Sequence, residues 1–270
     1  MKISKIILML LITNFIFNSI TVSAQEKFHL SAEKEISILS LSSALTLTSH
    51  LIEKKISINP AEIYSLNKND INLFDRSAVN FYSKKISLAS DLFMIANVSL
   101  PITFIFVDEA KNDLKEIAIM YLETLTLTYG VTNLTKNIFQ RFRPYAYNHS
   151  VELSEKLDPD TKKSFFSGHT SISFASAVFF STVFSEISSD ENAKRLVWIG
   201  SISLATTTGL LRYFSGKHFP TDILAASLAG SLIGYTIPYI HKSERNVNFN
   251  FLGNQNIISF NLNFDSRIFR

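Results

Sequence analysis

The stretch from Leu211 to Asp222 reads LRYFSGKHFPTD and joins two long apolar segments. Pro220 is typical of the first turn of a helix, because its fixed φ suits a helix start and its missing N–H would be unpaired there. Asp222 follows His218 by four residues, so the carboxylate can reach the imidazole across the helix start. A carboxylate beside an imidazole fixes its tautomer and stabilises its charged form. The stretch therefore predicts two helices joined by a chemically active turn, although a capping Asp and a surface His would also explain it.

Apolar segments of helical length dominate the chain around this junction. Gly and Pro are scarce, with 8 and 6 in 270 residues, which favours long helices over an all-β fold. The tail differs, because apolar and polar residues alternate over 247–252 and 257–264 with Gly253-Asn254 at a turn position. We therefore expect an all-α bundle of about six helices plus a short C-terminal β-hairpin. The six predicted helices lie near 35–53, 86–107, 114–137, 169–187, 193–214 and 220–241.

The N-terminus has the features of an export signal. Lys2 and Lys5 precede a short apolar run over 6–17, and Val22-Ser23-Ala24 fits a small-residue cleavage site. An uncleaved anchor helix is the alternative, although the run is short for a membrane span. We expect a signal peptide at 1–24, an N-terminal helical segment at 25–85, a core bundle at 86–241 and a strand-like tail at 242–270. The protein would then be exported to the cell envelope, as an integral membrane protein or in soluble form.

Composition excludes several classes of function. The chain contains no cysteine, so disulfides, thiolate metal sites and a cysteine nucleophile are all excluded. A net charge of +3 argues against a nucleic-acid binder, which would need a basic face. No cluster of acids is found at metal-ligand spacing in the sequence. We therefore expect neither a metal site nor a cofactor, and the oligomeric state stays open.

Two further segments place polar residues at predicted helix ends. Residues 136–144 read KNIFQRFRP and close the third helix, where basic residues suit the helix dipole and Pro is ordinary punctuation. Residues 167–170 read SGHT and open the fourth helix, where Ser is a good N-cap and free N–H groups can hold an anion. Each segment alone has an ordinary structural explanation.

The three segments together point to one site. In an antiparallel bundle, the end of helix three, the start of helix four and the junction of helices five and six fall on the same side. Three cations and a helix N-terminus suit a compact multivalent anion, for which phosphate is the natural candidate. The side chains that can converge there, at one end of the bundle, are His169, His218, Asp222, Lys136, Arg143 and Arg212.

In these three segments the chain resembles the type 2 phosphatidic acid phosphatase superfamily. The family carries a Lys, six residues and Arg-Pro, which residues 136–144 match in full. It then carries Pro-Ser-Gly-His, matched at 167–169 with Phe166 in place of Pro. Its third motif is Ser-Arg, five residues, His, three residues and Asp, matched at 212–222 with Leu211 in place of Ser. The resemblance covers about residues 86–241.

The resemblance implies a metal-independent phosphoric monoester hydrolase acting on a phosphate monoester or pyrophosphate. His218 would attack phosphorus and become a phosphohistidine, while Asp222 orients it. His169, which has no carboxylate near it in sequence, would protonate the leaving oxygen and then activate water. The implied substrate is a lipid phosphate, an isoprenoid phosphate or a small phosphate ester, with a membrane as the expected partner and no nucleic acid. The implied phosphate-binding residues are Lys136, Arg143, Ser167, Gly168 and Arg212.

Two other functions fit part of the pattern. Vanadium-dependent haloperoxidases share the residue set, with vanadate in place of phosphate, but are typically longer chains with extra elements. An envelope structural protein that kept the fold would explain the strand-like tail.

Other polar residues of the chain can be interpreted as functional or as structural. Asp91 and Glu123 lie inside apolar stretches and would serve substrate or proton handling, or form a polar pair. His50 and His241 at helix ends are interpreted as structural. The many hydroxyl residues of helix one favour its lying outside the bilayer, and the site would then face away from the cytoplasm.

Overall fold

The computed structural model describes the backbone of residues 26–53, 57–243, 246–253 and 256–263, and side chains only within the first two of these ranges. The predicted signal peptide at 1–24 lies outside the described residues. Eight α-helices are present in the described part: α1 Ala32–Glu53, α2 Pro60–Tyr64, α3 Lys84–Ser99, α4 Leu114–Phe139, α5 Leu153–Lys156, α6 Gly168–Ile187, α7 Glu191–Phe214 and α8 Pro220–Ile240. Short 3-10 turns occupy Lys68–Asp70, Arg76–Asn80, Leu100–Phe106, Asp108–Asp113, Pro144–Tyr147 and Pro159–Lys162.

The six long helices lie where the sequence predicts them, and the all-α class is confirmed for the bundle. The second predicted helix, over 86–107, is shorter than expected. Helix α3 ends at Ser99 and a 3-10 turn follows, because Pro101 has no N–H to donate and its ring crowds the carbonyl one turn earlier. The short helices α2 and α5 lie in polar connections that gave no helical periodicity.

Two strands occupy the tail. Strand β1, Asn246–Gly253, pairs antiparallel with β2, Asn256–Asn263, and Asn246 lies opposite Asn263. The helical class rests on the bundle alone, and the predicted C-terminal β-hairpin is not supported as part of the fold. The division of the chain at residues 85 and 241 stays a prediction.

Helix α6 lies at the centre of the bundle and packs most closely against α8. A Cβ atom added at Gly230 would lie 2.1 Å from the Ser171 carbonyl oxygen, and one at Gly234 would lie 2.3 Å from the Ala175 carbonyl oxygen. Small residues four apart let two helix backbones approach closely, as they do in membrane helix pairs. This close contact fixes the start of α6 beside the start of α8, where two of the three sequence motifs lie.

Helix α1 packs along α4 and runs parallel to it. The side-chain amide of Asn137 donates to the carbonyl of Ser49 at 2.8 Å, across a separation of 88 residues. Seven residues earlier on both helices, a Cβ atom added at Gly130 would lie 3.1 Å from the carbonyl oxygen of Ser42. Because both pairs share the same offset, the two helices keep one direction, and their C-terminal ends lie at the same end of the bundle.

The outer surface of the bundle is apolar while its interior holds many hydroxyl groups. Leu224, Leu228 and Leu232 form an exposed stripe on α8, and Ser171 and Ser176 of α6 are buried. Such a distribution is typical of helices that pack in lipid, where hydroxyl groups bond across helices. Four segments are long and apolar enough to cross a membrane, which supports an integral membrane protein: Ala32–Glu53, Lys84–Phe106, Gly168–Ile187 and Pro220–Ile240.

The expectation that helix one lies outside the bilayer loses its main argument. Helix α1 is among the four segments by its length and composition. Two of its serines, Ser42 and Ser49, are buried, and its exposed large residues are Ile36, Leu41, Leu47 and Leu51. Helix α7 is not among these four.

Candidate active site

The predicted site residues gather at one end of the bundle. Each lies at a helix end or in the turn beside it. The backbone geometry of the helix ends therefore determines the position from which each side chain extends. Lys136 is in the last turn of α4, Arg143 precedes a 3-10 turn, Ser167, Gly168 and His169 open α6, Arg212 is in the last turn of α7, and His218 and Asp222 flank the start of α8.

His218 forms the buried floor of the site and is 1% exposed. Its Nδ1–H donates to the carbonyl oxygen of Ser164 at 2.8 Å, and Arg143 Nη1 donates to its Nε2 at 3.0 Å. A carbonyl can only accept and a guanidinium can only donate, so the proton is on Nδ1 and the lone pair is on Nε2. The Nε2 lone pair therefore points toward Arg143.

Asp222 supports His218 less directly than the sequence suggests. Its Oδ2 lies 3.6 Å from His218 Nδ1, and the hydrogen bond that sets the tautomer goes to Ser164 instead. Asp222 accepts from Ser164 Oγ at 2.6 Å, from the Phe219 backbone N–H at 2.9 Å and from Arg141 Nη1 at 2.6 Å. The carboxylate thus holds the backbone on both sides of the imidazole.

Arg141 and Asp75 anchor the start of α8, and sequence reasoning missed both. Arg141 Nη2 donates to Asp75 Oδ2 at 2.7 Å, and its guanidinium carbon lies 4.1 Å from the centre of the Phe219 ring. Asp75, fully buried, also accepts from the backbone N–H and hydroxyl of Thr221. Arg141 stands inside the 136–144 motif and could have been suspected, whereas nothing around Asp75 marked it.

His169 lies nearer the surface and has a carboxylate partner. Its Nε2 is 2.7 Å from Asp91 Oδ1, and the two side chains are 28% and 42% exposed. The expectation of an unsupported His169 is therefore wrong, because α3 brings in a residue 78 positions away that sequence spacing could not connect. The structure places Asp91 in the site, which favours the interpretation that it serves substrate or proton handling.

Arg212 is held by α3 but keeps one donor free. Its Nη1 donates to Ser87 Oγ at 3.0 Å and to Ser90 Oγ at 3.1 Å, and it lies 3.7 Å from Asp91 Oδ1. Its buried Nε has no hydrogen-bond partner among the described residues. A guanidinium fixed in this way retains a donor for an anion.

Arg143 and Lys136 complete the positive charge. Arg143, 3% exposed, donates through Nη2 to Asp160 Oδ2 at 2.8 Å and through Nη1 to the Lys217 carbonyl at 3.1 Å. A Cβ atom added at Gly168 would lie 3.3 Å from Lys136 Nζ, so the lysine reaches the first turn of α6. Three cations thus meet at one helix N-terminus.

The N-terminus of α6 offers fewer free amides than expected. Ser167 Oγ accepts from the Thr170 backbone N–H at 3.4 Å, as a helix-capping serine does, and from Thr170 Oγ1 at 2.8 Å. The Ser167 N–H, however, donates to the Asp222 carbonyl at 3.2 Å. That donor is already in use, because the close contact of α6 with α8 brings the two helix starts together. The expected anion contact from the Ser167 amide is therefore corrected, and the first-turn amide at Gly168 is the better candidate.

Burial and positive charge determine the protonation of the buried histidine. Burial, and then Arg143, Arg212 and Lys136, hold the pKa of His218 well below its usual range. Burial, followed by Arg143 and Arg212, lowers the pKa of Lys217 beside it. The imidazole is therefore neutral at pH 7, in the state that a nucleophile needs.

A cavity of about 620 Å³ opens beside these groups. Its lining includes Asp91 and Asp160, which contact His169 and Arg143, together with Ser87, Tyr82, Tyr145 and Lys217. The cavity therefore borders the two carboxylates that contact His169 and Arg143.

Comparison with known proteins gives matches that cover this site. The PAP2 superfamily model matches residues 117–245. Among solved structures, the fold is similar to a transmembrane PAP2 type phosphatidylglycerolphosphate phosphatase from Bacillus subtilis, at 16% identity and a TM-score of 0.47, over 74% of this chain and 94% of that chain. It is also similar to Aquifex aeolicus LpxE, at 22% identity and a TM-score of 0.43, over 62% of this chain and 96% of that chain. The family match contains all three motifs, and it confirms the resemblance to the PAP2 superfamily over residues 117–245.

Proposed function

We propose that this protein is a phosphatase that hydrolyses a lipid or isoprenoid phosphate through a phosphohistidine intermediate. The observation that carries the proposal is the Nε2 lone pair of His218, buried and neutral beside three cations. The match to the PAP2 superfamily model supports a lipid substrate, as do the four segments of the described chain that are apolar enough to cross a membrane. The test is a panel of lipid, isoprenoid and small soluble phosphates offered to the purified protein, with release of inorganic phosphate as the measurement.

In the first step, His218 Nε2 attacks phosphorus and the bond from phosphorus to the leaving oxygen breaks. Nδ1–H remains bonded to the Ser164 carbonyl, which keeps the ring aligned while positive charge develops on it. His169 gives its proton to the leaving oxygen, and Asp91 stabilises the charged form of His169 before transfer. The products are the alcohol and a phosphohistidine.

In the second step, water attacks the phosphohistidine and the bond between phosphorus and nitrogen breaks. His169, now neutral, takes a proton from the water as it attacks. Inorganic phosphate leaves, and His218 Nε2 regains its lone pair. Throughout both steps Lys136, Arg143 and Arg212 stabilise the negative charge on the phosphoryl oxygens.

Activity in EDTA and inhibition by vanadate follow from this mechanism. The three cations supply the charge stabilisation that Mg²⁺ supplies in other phosphoryl-transfer enzymes, and vanadate adopts the five-coordinate geometry of the transferring group. We expect turnover to survive EDTA and to fall with micromolar-range vanadate in a phosphate-release assay. An absolute requirement for added Mg²⁺ would contradict the mechanism. Bromination in vanadate and peroxide would instead favour the haloperoxidase alternative.

We further propose that the site faces away from the cytoplasm, which the export features of residues 1–24 support. The parallel packing of α1 and α4 puts a condition on this orientation. Since α1 ends at the site, an external site requires that α1 begin at the cytoplasmic face or that the whole bundle lie outside the bilayer. Cleavage after Ala24 combined with a membrane-crossing α1 would place the site inside.

Cysteine labelling tests the orientation, because the natural chain has no cysteine. Ser150 is exposed in the loop after Arg143 at the site end, and Ser189 is exposed in the turn between α6 and α7 at the other end. We expect Ser150→Cys to react with a membrane-impermeant maleimide on spheroplasts. Labelling of Ser189→Cys as well would indicate a bundle outside the bilayer. If Ser150→Cys is labelled only after lysis while Ser189→Cys is labelled on intact spheroplasts, the orientation is the opposite of the one proposed.

A further inference from the structure

Three titratable side chains meet at the end of the bundle opposite the phosphatase site. Glu35 is in the first turn of α1, Glu123 is in α4, and His241 caps the end of α8. One potential ligand atom from each lies within 4.8 Å of the other two. Glu123 is 1% exposed and His241 is fully buried, while the Glu35 side chain is 12% exposed. Along α4, Glu123 precedes Lys136 by 13 residues, which is about 20 Å of helix.

The buried carboxylate of Glu123 lacks the partners that a buried charge needs. Neither of its oxygens has a hydrogen-bond partner among the described residues, and Glu35 Oε2 also has none. The surroundings are apolar, with Met120 one turn away in α4 and Ile237 one turn before His241, both in the main hydrophobic core. Burying an unpaired carboxylate in such surroundings is costly. An additional group bound beside Glu35 and His241 would therefore stabilise the Glu123 carboxylate.

His241 turns its Nε2 toward both carboxylates. Its Nδ1–H donates to the Ile237 carbonyl at 2.8 Å, so the lone pair of the neutral ring is on Nε2. Nε2 lies 3.0 Å from Glu35 Oε1 and 3.7 Å from Glu123 Oε2. A histidine that binds a metal usually donates its other ring N–H to a carbonyl or carboxylate in this way.

We propose that Glu35, Glu123 and His241 bind one divalent transition-metal ion of the Zn²⁺ class. One imidazole nitrogen and two carboxylates form a donor set that such ions accept, with water in the remaining position. Two carboxylates and a neutral imidazole carry two negative charges, which one divalent ion balances. The site joins α1, α4 and α8 far from His218, so the ion holds α1 to the bundle and takes no part in phosphoryl transfer.

The experiment uses the full-length protein in detergent, stripped with a chelator and dialysed against Zn²⁺. We expect about one zinc ion per chain by elemental analysis, and a Tm that rises with zinc concentration because the ion binds only the folded chain. Glu123→Gln and His241→Gln should each weaken zinc binding by about 100-fold or more. Glu35 is the partly exposed member of the three, so Glu35→Gln can still test zinc binding if the two buried variants do not fold.

The matched controls lie on the same helix as Glu35. His50 and Glu53 form an exposed pair near the end of α1, with 3.9 Å between His50 Nδ1 and Glu53 Oε2. We expect His50→Gln and Glu53→Gln to bind zinc like the natural chain. Zinc bound equally by the Glu123, His241 and Glu35 variants would overturn the proposal. The proposal would also be overturned if the natural chain bound no zinc and the Glu123→Gln variant had a higher Tm than the natural chain. That result would mean that a proton, and not a metal ion, neutralises the buried carboxyl group.

Phosphate release measured on the same samples separates this proposal from the phosphatase function. Glu123→Gln should hydrolyse phosphate esters without zinc, because the proposed ion is remote from His218. Loss of zinc binding with turnover retained supports both proposals. Turnover absent from the natural chain, with zinc bound through the three residues, would reject the phosphatase function and leave the metal site standing.

Discussion

His218→Ala is expected to abolish turnover on every phosphate substrate, with a loss of at least about 10⁴-fold in kcat. The imidazole supplies a buried nitrogen lone pair that contacts Arg143, and alanine leaves no atom to form the covalent intermediate. The measurement is phosphate release under saturating substrate. Acid-labile, alkali-stable incorporation of labelled phosphate in a quenched reaction should disappear with it.

The matched control for this variant is His149→Ala, since His149 is an exposed histidine in the loop that follows the 3-10 turn Pro144–Tyr147. It should retain turnover within about twofold, because exposed substitutions away from contacts have small effects. Turnover by His218→Ala within tenfold of the natural chain would reject the phosphohistidine mechanism. Folding of both variants is checked by their Tm.

His169→Ala is expected to give the second largest loss, and one that depends on the leaving group. On alkyl and lipid phosphates the loss of the general acid should cost about 10²- to 10⁴-fold in kcat. A nitrophenyl ester should lose much less in its first step, because nitrophenolate leaves without a proton. The comparison is kcat for the two substrate classes, with single-turnover rates to isolate the first step.

The variant Asp91→Asn tests how much the Asp91 carboxylate contributes to the function of His169 as the general acid. It keeps a hydrogen bond to His169 but removes the negative charge that stabilises the imidazolium. We expect the same leaving-group dependence as for His169→Ala, with a smaller loss. The alkaline limb of the pH profile, where the general acid loses its proton, should shift to lower pH. Equal losses on good and poor leaving groups in His169→Ala would remove His169 from the general-acid role. An unshifted pH profile in Asp91→Asn would limit Asp91 to a structural contact.

The motif residues could be predicted because their signals are local. Pro220 at the first turn of α8 and Ser167 at the cap of α6 are features that neighbouring residues specify by themselves. The spacing of Arg212, His218 and Asp222 then places three functional groups around one turn. These short-range rules were enough to locate the site at one end of a helical bundle.

The partners of those residues could not be predicted, because they come from distant segments. Asp91 reaches His169 across 78 residues, and Asp75 reaches Arg141 across 66. The carbonyl of Ser164 carries no sequence signal at all, since every residue has one, yet it determines the tautomer of His218.

The sequence by itself determined the helices, their caps and the eight residues at the phosphate end, because periodicity and capping are properties of a few consecutive residues. Only the tertiary structure decided how the helices face one another. It buried Ser42 and Ser49 of α1 and left Leu41, Leu47 and Leu51 exposed, which changes where α1 can lie. It also brought Glu35, Glu123 and His241 together from three helices. Burial and long-range packing assign each polar side chain its environment, and no local pattern contains that information.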